Sequence, residues 1–366
     1  MKEVFNIPTV LIAPLDWGLG HVTRCIPLIK AFKQLNWRVI IATNETGKIV
    51  LQKEVTDIEF EELKGYNIQY AKTAATFSLK ILTQIPKIFA IINYEHKWLQ
   101  KIVDKHAINL VVSDNRYGLY STKATCVFIT HQLKIKTKFS LTEKLLQLNN
   151  YWHIQKFDYC WIPDCADANN LTGSMGHPTK MPAVTTFYMG LLSRFTKSNS
   201  NKIKYKYCIS LSGPEPQRTV LEKMILQQIN ELQEKVLVVR GLPKSDELIE
   251  VAKHVEIKNH LTGTELEQAF LESEYIICRS GYTTMMEIIT LQKKAILIPT
   301  PNQTEQEYLA KIAFTKNWCY TILQSKFNLS EAVIAAEKFN YQIPTNLSVF
   351  TATTLQHILA MQMEQS

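Results

Sequence analysis

The chain has 366 residues, 46% of them hydrophobic and 20% charged, which excludes a disordered or fibrous polymer and leaves room for two cores of ordinary size. No charge-free apolar run reaches the roughly 18 residues that span a bilayer, and Lys2 and Glu3 lead into a strand-like run rather than a secretion signal, so a cytoplasmic protein is expected. The net charge of +8 sits wholly in one half: residues 1–195 carry 23 Lys and Arg against 15 Asp and Glu, and residues 196–366 carry 18 of each.

Taken in chain order, short apolar runs alternate with helix-like stretches. The first series is TVLIA (9–13), RVIIAT (38–43), INLVVS (108–113) and CVFIT (126–130). The second is YCISLS (207–212), KVLVVR (235–240), VEIKN (255–259), YIICR (275–279) and AILIP (295–299). Continuous apolar strands separated by helices predict parallel sheets covered on both faces. The polar stretch SRFTKSNSNKIK (193–204) reads as a linker between the two series, and helices are expected over 330–339 and 347–362. The expectation is an α/β protein of two facing Rossmann-like domains, 1–192 and 205–345, with a cleft between them and a C-terminal helix (346–366) packing back on the first domain.

Seven dispersed cysteines, without paired metal spacing, read as reduced and mostly buried thiols. No D-x-D motif occurs, and no metal site is expected.

The first loop, PLDWGLGHVTRCIPLI (14–29), places Gly18 and Gly20 before His21. A dinucleotide turn requires a third glycine, which is missing, so NAD is a poor ligand. What is left is a turn with backbone N–H groups at a helix start, suited to an anion. His21 falls in the first helical turn, where a neutral imidazole can act as a general base or simply pack. The stretch VVSDNRYG (111–118) puts Asp114 just past the end of a strand at the same sheet edge, where it could orient His21 or merely form a turn. FITHQ (128–132) brings His131 and Gln132 to a similar place, as acceptor-binding candidates.

In residues 275–312 a strand runs into Arg279, Ser280 and Gly281, and a helix begins around Thr283 with Glu287 one turn in. A helix N-terminus with small residues suits a phosphate, and a carboxylate one turn inside suits ribose hydroxyls. Thr284-x-x-Glu287 fits a capping box equally well. A polar loop then carries Gln303 and Gln306 into the next helix.

This segment resembles the donor half of the GT-B glycosyltransferases, of the family 28 type that includes the peptidoglycan N-acetylglucosaminyltransferase forming lipid II. Cys278, Arg279, Ser280, Gly281, Thr284, Glu287, Ile288, Pro299 and Gln306 fit its C-R-S-G…T…E-I pattern, and Gly18-Leu19-Gly20-His21 is similar to its N-terminal Gly-Gly-His loop. The resemblance implies a GT-B fold and an inverting, metal-independent transfer from a UDP-sugar to a lipid-linked or glycan hydroxyl, without a cofactor. It implies that Ser280, Gly281 and the following amides, with Arg279 and Thr283, hold the diphosphate, and that Glu287 takes the ribose. Gln306 and Gln303 would meet the donor sugar, Ser212 and Gly213 would belong to the turn opening the second domain, and the backbone at His260 and Leu261 would read the base. The pattern departs at Asp16 and Trp17, at the proline-rich LSGPEPQRT (211–219), and at Glu307 and Ala310.

Residues 72–144 hold 12 basic against 4 acidic residues. Lys80, Lys87, Lys97, Lys101 and Lys105 punctuate a helix-like stretch that Pro86 should start, and LKIKTKFSLTEK (133–144) follows. Lysines among Phe, Ile and Leu suit an anionic membrane surface or an anionic acceptor, and equally the solvated face of an ordinary core helix. No nucleic-acid module is recognisable. Peripheral attachment to the inner membrane face is therefore expected. A sugar-nucleotide epimerase or hydrolase on the same fold, or a non-catalytic binding subunit, remains as an alternative; Tyr282, where the epimerases carry a second glycine, disfavours the first.

Overall fold

The computed structural model describes residues 7–66, 84–137, 139–197 and 202–364. Lys80, Lys138 and residues 198–201 of the expected linker lie outside the described residues. The chain forms two compact units, Met1–Leu192 with Ser348–Ser366, and Ser193–Leu347.

The first unit is built on β1 (Thr9–Pro14), β2 (Arg38–Thr43), β3 (Glu59–Glu62), β4 (Leu110–Asp114), β5 (Thr125–Ile129), β6 (Tyr159–Ile162) and β7 (Thr185–Tyr188). They form one parallel sheet in the order β3-β2-β1-β4-β5-β6-β7. Its helices are α1 (Leu19–Arg24), α2 (Ile26–Gln34), α3 (Glu45–Glu54), α4 (Ile85–His106) and α5 (Ser140–Ile154). The central strands are apolar on both sides because helices cover both faces. Leu99, Ile102 and Val103 of α4 pack over Leu11, Val111 and Phe128. The register pairs Pro14 with Asp114 and Asp114 with Ile129, so the loops after β1, β4 and β5 leave the sheet side by side. Short, polar β3 and the outer strands β6 and β7 were not among the expected strands; an edge strand such as EFEE carries little apolar signal.

The second unit has β8 (Tyr205–Ser210), α6 (Gln217–Gln228), β9 (Val236–Val239), β10 (Val255–Lys258), α7 (Gly263–Leu271), β11 (Ser273–Cys278), α8 (Tyr282–Thr290), β12 (Lys294–Leu297), α9 (Thr304–Thr315), β13 (Tyr320–Thr321) and α10 (Leu329–Glu337). Its parallel sheet runs β10-β9-β8-β11-β12-β13. Cys278 pairs with Ser210 and Leu297, which brings the loops after β8, β11 and β12 to one edge. The start of the expected linker is packed rather than loose: Ser193 and Phe195 are buried, and the Phe195 ring meets Phe270 edge-on at 5.7 Å. After the second unit the chain returns through a bridge between Leu191 and Val349, and α11 (Ala352–Met363) packs on α2.

All seven cysteines are free and buried. Among the described residues no helix is long and apolar enough to cross a membrane.

Candidate functional site

On the first unit, the loop after β1 is shaped by its departures from a glycine-rich turn. Asp16 accepts the Tyr66 backbone N–H at 3.0 Å and lies 3.5 Å from the Arg116 guanidinium. Gly65 packs directly on the Asp16 carboxylate, leaving no room for a side chain there. Arg116, fully buried, also donates to the Pro14 carbonyl at 2.8 Å and to Glu95 at 2.7 Å, tying α4 to the ends of β1 and β4. Gly18 has φ +120, a backbone region that disfavours side chains, and it is the N-cap of α1. Gly20 lies inside α1 rather than in the turn, and at six residues α1 is too short to supply much of a dipole. The anion cradle expected at Gly18 and Gly20 therefore has little to support it.

What the turn does provide is His21. Its Nδ1 lies 3.0 Å from Asp114 Oδ2, and its side chain is 20% exposed against 1% for Asp114. Asp114 is the last residue of β4 rather than a residue beyond it. Arg24, one turn past His21 and fully buried, grips both carboxylate oxygens: Nε donates to Oδ2 at 2.9 Å, and the terminal Nη2 donates to Oδ1. The other terminal nitrogen of Arg24 lies 3.1 Å from His131 Nδ1, and Gln132 Nε2 lies 3.3 Å from His131 Nε2. Asn115 donates to Asp114 Oδ1 at 3.1 Å.

Burial alone would raise the Asp114 pKa, but the Arg24 guanidinium and His21 hold it well below the usual carboxylate range. Burial and then the Arg24 charge lower the His21 pKa, against an upward pull from Asp114. An ionised carboxylate only accepts, so His21 Nδ1 carries the proton and Nε2 carries the lone pair. Such an imidazole can take a proton from a hydroxyl.

Arg24 was not among the expected site residues. Its signal was there: residues three apart share a helix face, so Arg24 had to lie beside His21.

On the second unit, α8 starts at N-cap Gly281 with no side-chain cap. The expected capping box is thus absent: Thr284 is the third helical residue and does not cap, because the chain turns into helix directly after Ser280. A capping box does form at α7, where Thr262 accepts the Glu265 N–H and the Glu265 carboxylate accepts the Thr262 N–H at 2.8 Å. Glu287, 2% exposed, instead accepts Arg194 Nε at 2.6 Å. Arg194 comes from the packed start of the linker stretch and was also not anticipated.

The polar side chains around this loop are largely engaged with backbone. Arg279, 1% exposed, donates to the carbonyls of Ile298, Pro299 and Gln217 at 3.2, 3.3 and 2.8 Å, so it braces the loop instead of lining it. Ser280 is buried and donates to the Gln306 carbonyl at 2.9 Å, and the Gln306 side-chain oxygen accepts the Thr300 N–H at 2.9 Å. Gln306 can then present its NH2 as a donor. Glu307 accepts the Asn302 N–H at 2.9 Å, and Gln303 is the N-cap of α9. A Cβ built on Gly281 meets nothing, so the space before the amides of α8 is open, with Thr283 and Thr284 partly exposed beside it. Ser212 and Gly213 are exposed in the turn before α6, with Gly213 at φ +103. His260 and Leu261 lie between β10 and α7.

Residues 217–358 match the family described as the glycosyltransferase family 28 C-terminal domain. The match begins at α6 of the second unit and runs on into α11. The solved structures that this chain resembles have the GT-B fold. They include a kitacinnamycin glycotransferase (9% identity, 91% of this chain and 90% of that one, TM-score 0.64) and the calicheamicin glycosyltransferase CalG4 (11%, 98% and 95%, 0.61). MurG of Acinetobacter baumannii aligns at 13% identity over 98% of this chain and 99% of its own, with a TM-score of 0.52. No curated protein sequence matches the chain. The family 28 match contains α8, Glu287 and Gln306, the parts for which the sequence predicted donor binding.

On the outer side of the first unit, α5 exposes an apolar stripe. Leu141, Leu145, Leu148 and Trp152, at helical spacing, are between 55% and 69% exposed, and Phe139 just before the helix is 70% exposed. Lys144 is exposed on the same helix and Lys156 sits over the Trp152 ring. α4, which Pro86 starts as expected, buries Ile92, Leu99, Ile102 and Val103 and turns Lys97, Lys101 and Lys105 to solvent, the ordinary solvated face of a core helix, while its first turns leave Ile85 and Phe89 exposed beside Lys87.

Proposed function

We propose that the protein is an inverting glycosyltransferase that moves a hexose, such as N-acetylglucosamine, from a UDP-sugar to a hydroxyl of a lipid-linked or glycan acceptor. The observation that carries this reading is His21, whose Nδ1 is fixed on an ionised Asp114 so that Nε2 is available as a base. The family 28 domain gives the donor side its precedent.

In this reading the α8 amides after Gly281 take the diphosphate charge, so that no metal ion or cofactor is required, and Glu287 takes the ribose hydroxyls. Gln306 offers its NH2 to the sugar. The acceptor oxygen attacks the anomeric carbon from the face opposite the diphosphate while His21 Nε2 takes its proton. The bond to the diphosphate breaks, its electron pair leaves with the nucleotide, and the anomeric configuration inverts. The imidazolium that forms faces Asp114, which stabilises it. Partly exposed Gln132, on the loop after β5, with His131 behind it, is taken to bind the acceptor.

The apolar stripe of α5, with Lys144 on the helix and Lys156 just past it, supports an acceptor met at an anionic lipid surface. The same helix is wired to the site: Asn150 donates to the carbonyls of Gln132 and Leu133 at 2.8 and 3.1 Å and accepts from the Tyr117 hydroxyl at 2.7 Å. Peripheral attachment at the inner membrane face follows from this reading.

Calorimetric titration with UDP, UDP-N-acetylglucosamine, UDP-glucose, dTDP and GDP tests the donor. VinC and the spinosyn rhamnosyltransferase SpnG were solved with thymidine diphosphates, which makes dTDP the sharpest control. Uridine-selective binding, weakened at least tenfold in Glu287→Ala, is the expected result, and preference for dTDP would reassign the donor. Nucleotide release should then require a lipid-linked or glycan acceptor and be lost in His21→Ala. Release of free or isomerised sugar without acceptor would overturn transfer in favour of hydrolysis or epimerisation.

A further inference from the structure

We propose that Arg24 is a positioning residue that locks the tautomers of two histidines at once, leaving His21 with a bare Nε2 and His131 with an Nε2–H. The proposal rests on the reading of His21 as the base and extends it to the groups that fix its state.

Donor and acceptor rules alone fix the two tautomers. A guanidinium donates and never accepts. The Arg24 nitrogen 3.1 Å from His131 Nδ1 therefore requires a lone pair on that Nδ1, and the single ring proton of neutral His131 must sit on Nε2. The two other contacts of Arg24 run to both oxygens of Asp114, a fork geometry that fits a carboxylate. With Asp114 ionised, His21 Nδ1, 3.0 Å away, must be the donor. Gln132, whose Nε2 stands 3.3 Å from His131 Nε2, must present its carboxamide oxygen there, since two N–H groups cannot pair. One buried cation thus sets one imidazole as an acceptor and its neighbour as a donor. His21 can then remove a proton, while His131, 3% exposed, gives its Nε2–H to Gln132 and orients that side chain.

Arg24 also decides which charge His21 feels. The groups facing it are the carboxylate of Asp114, the guanidinium of Arg24 and the ring of His131. Asn115 is neutral, and the Cys25 thiol, 4.0 Å from Asp114 Oδ2, is held protonated by burial, which raises its pKa well above the ordinary value. The Arg24 and Asp114 charges offset each other, so burial dominates and His21 stays neutral. Without Arg24, the same carboxylate would face His21 alone and favour the imidazolium.

Ring nitrogen NMR of the full chain tests this without any substrate, with His21→Gln and His131→Gln assigning the signals. The wild-type protein is expected to show His21 protonated at Nδ1 and His131 protonated at Nε2. In Arg24→Gln, His131 should become a tautomer mixture and the His21 pKa should rise by about one unit, a tenfold gain in proton affinity. Arg24→Lys keeps the charge but not the fork, so it should release His131 while His21 titrates near its wild-type value. A merely structural arginine would move neither tautomer. His131 protonated at Nδ1 in the wild type, or tautomers unchanged in either variant, would overturn the proposal; should both variants fail to fold, the wild-type spectrum alone decides it. Nucleotide titration judges the transferase reading separately: locked tautomers without donor binding would sink that reading and leave the lock standing.

Discussion

The two units expose different chemistry. At the sheet edge of the first, the site consists of side chains: His21 and Arg24 from α1, Asp114 from the end of β4 and His131 from the loop after β5, interlocked through one buried guanidinium. At the corresponding edge of the second, Arg279, Ser280 and Gln306 are engaged with backbone, and what faces open space is a glycine and the amides behind it. The difference teaches how each site should fail. A side-chain network breaks when one member is removed, because a buried partner is left uncompensated. A backbone site survives most substitutions of its neighbours and fails when its path is filled.

The largest effect should come from Asp114→Ala. It strands the Arg24 guanidinium, 2% exposed, and should cost about 3–5 kcal/mol in urea unfolding. A cost under about 1 kcal/mol would mean that the network is not interlocked. Arg279→Met should follow at about 2–4 kcal/mol, since it takes the donor from two buried carbonyls and a partly buried one. If it instead abolished nucleotide binding with the melting temperature unchanged, Arg279 would be a ligand rather than a brace, and the contrast between the units would collapse.

The first unit should also be the acid-sensitive one. His153, stacked on Tyr117 at 4.5 Å with its Nδ1 unpartnered, has its pKa lowered by burial to about 4, below the ordinary 6.5. Between those values the unfolded chain binds more protons, so stability present above pH 6.5 drains away as pH falls toward 4. Denaturation at pH 7 and pH 5 should differ by about 2 kcal/mol on this account, and His153→Phe should remove most of the difference. An unchanged difference in that variant would place the acid sensitivity elsewhere.

Gly281→Ala should have the smallest effect on the fold and the sharpest on the comparison. Its φ is −70 and its added Cβ meets nothing, so stability should change by less than about 1 kcal/mol. Nucleotide affinity should nonetheless fall, because the methyl enters the space where a phosphate would approach the amides. Unaltered affinity would move the diphosphate away from α8.

Much of the fold was legible because continuous apolar runs and helix periods are local signals. The strands ending at Ala13, Ser113 and Arg279 were placed within a few residues of their observed limits, whereas β3 and β13 carried too little apolar signal to be found. The second site was legible as a motif, because a strand–Arg-Ser-Gly–helix turn is written in consecutive residues. Its internal wiring was not: Glu287 pairs with Arg194, 93 positions away, rather than with Thr284 in a cap. Lysine spacing on α4 suggested an anion-binding face, but only packing showed that most of its apolar side is buried, with Ile85 and Phe89 left exposed, and that α5 carries the longer exposed stripe.

By itself, then, the sequence determined two parallel-sheet units, the helix that places His21 in its first turn, and a glycine at the start of α8, all consequences of residues near one another in the chain. Only the tertiary structure decided that Arg24 joins Asp114 to His131, that Asp16 serves Tyr66 and Arg116, and that Glu287 meets Arg194. Those pairs are set by strand order and register, which bring the loops after β1, β4 and β5 together, and no local period of a sequence encodes which distant charge will lie beside which.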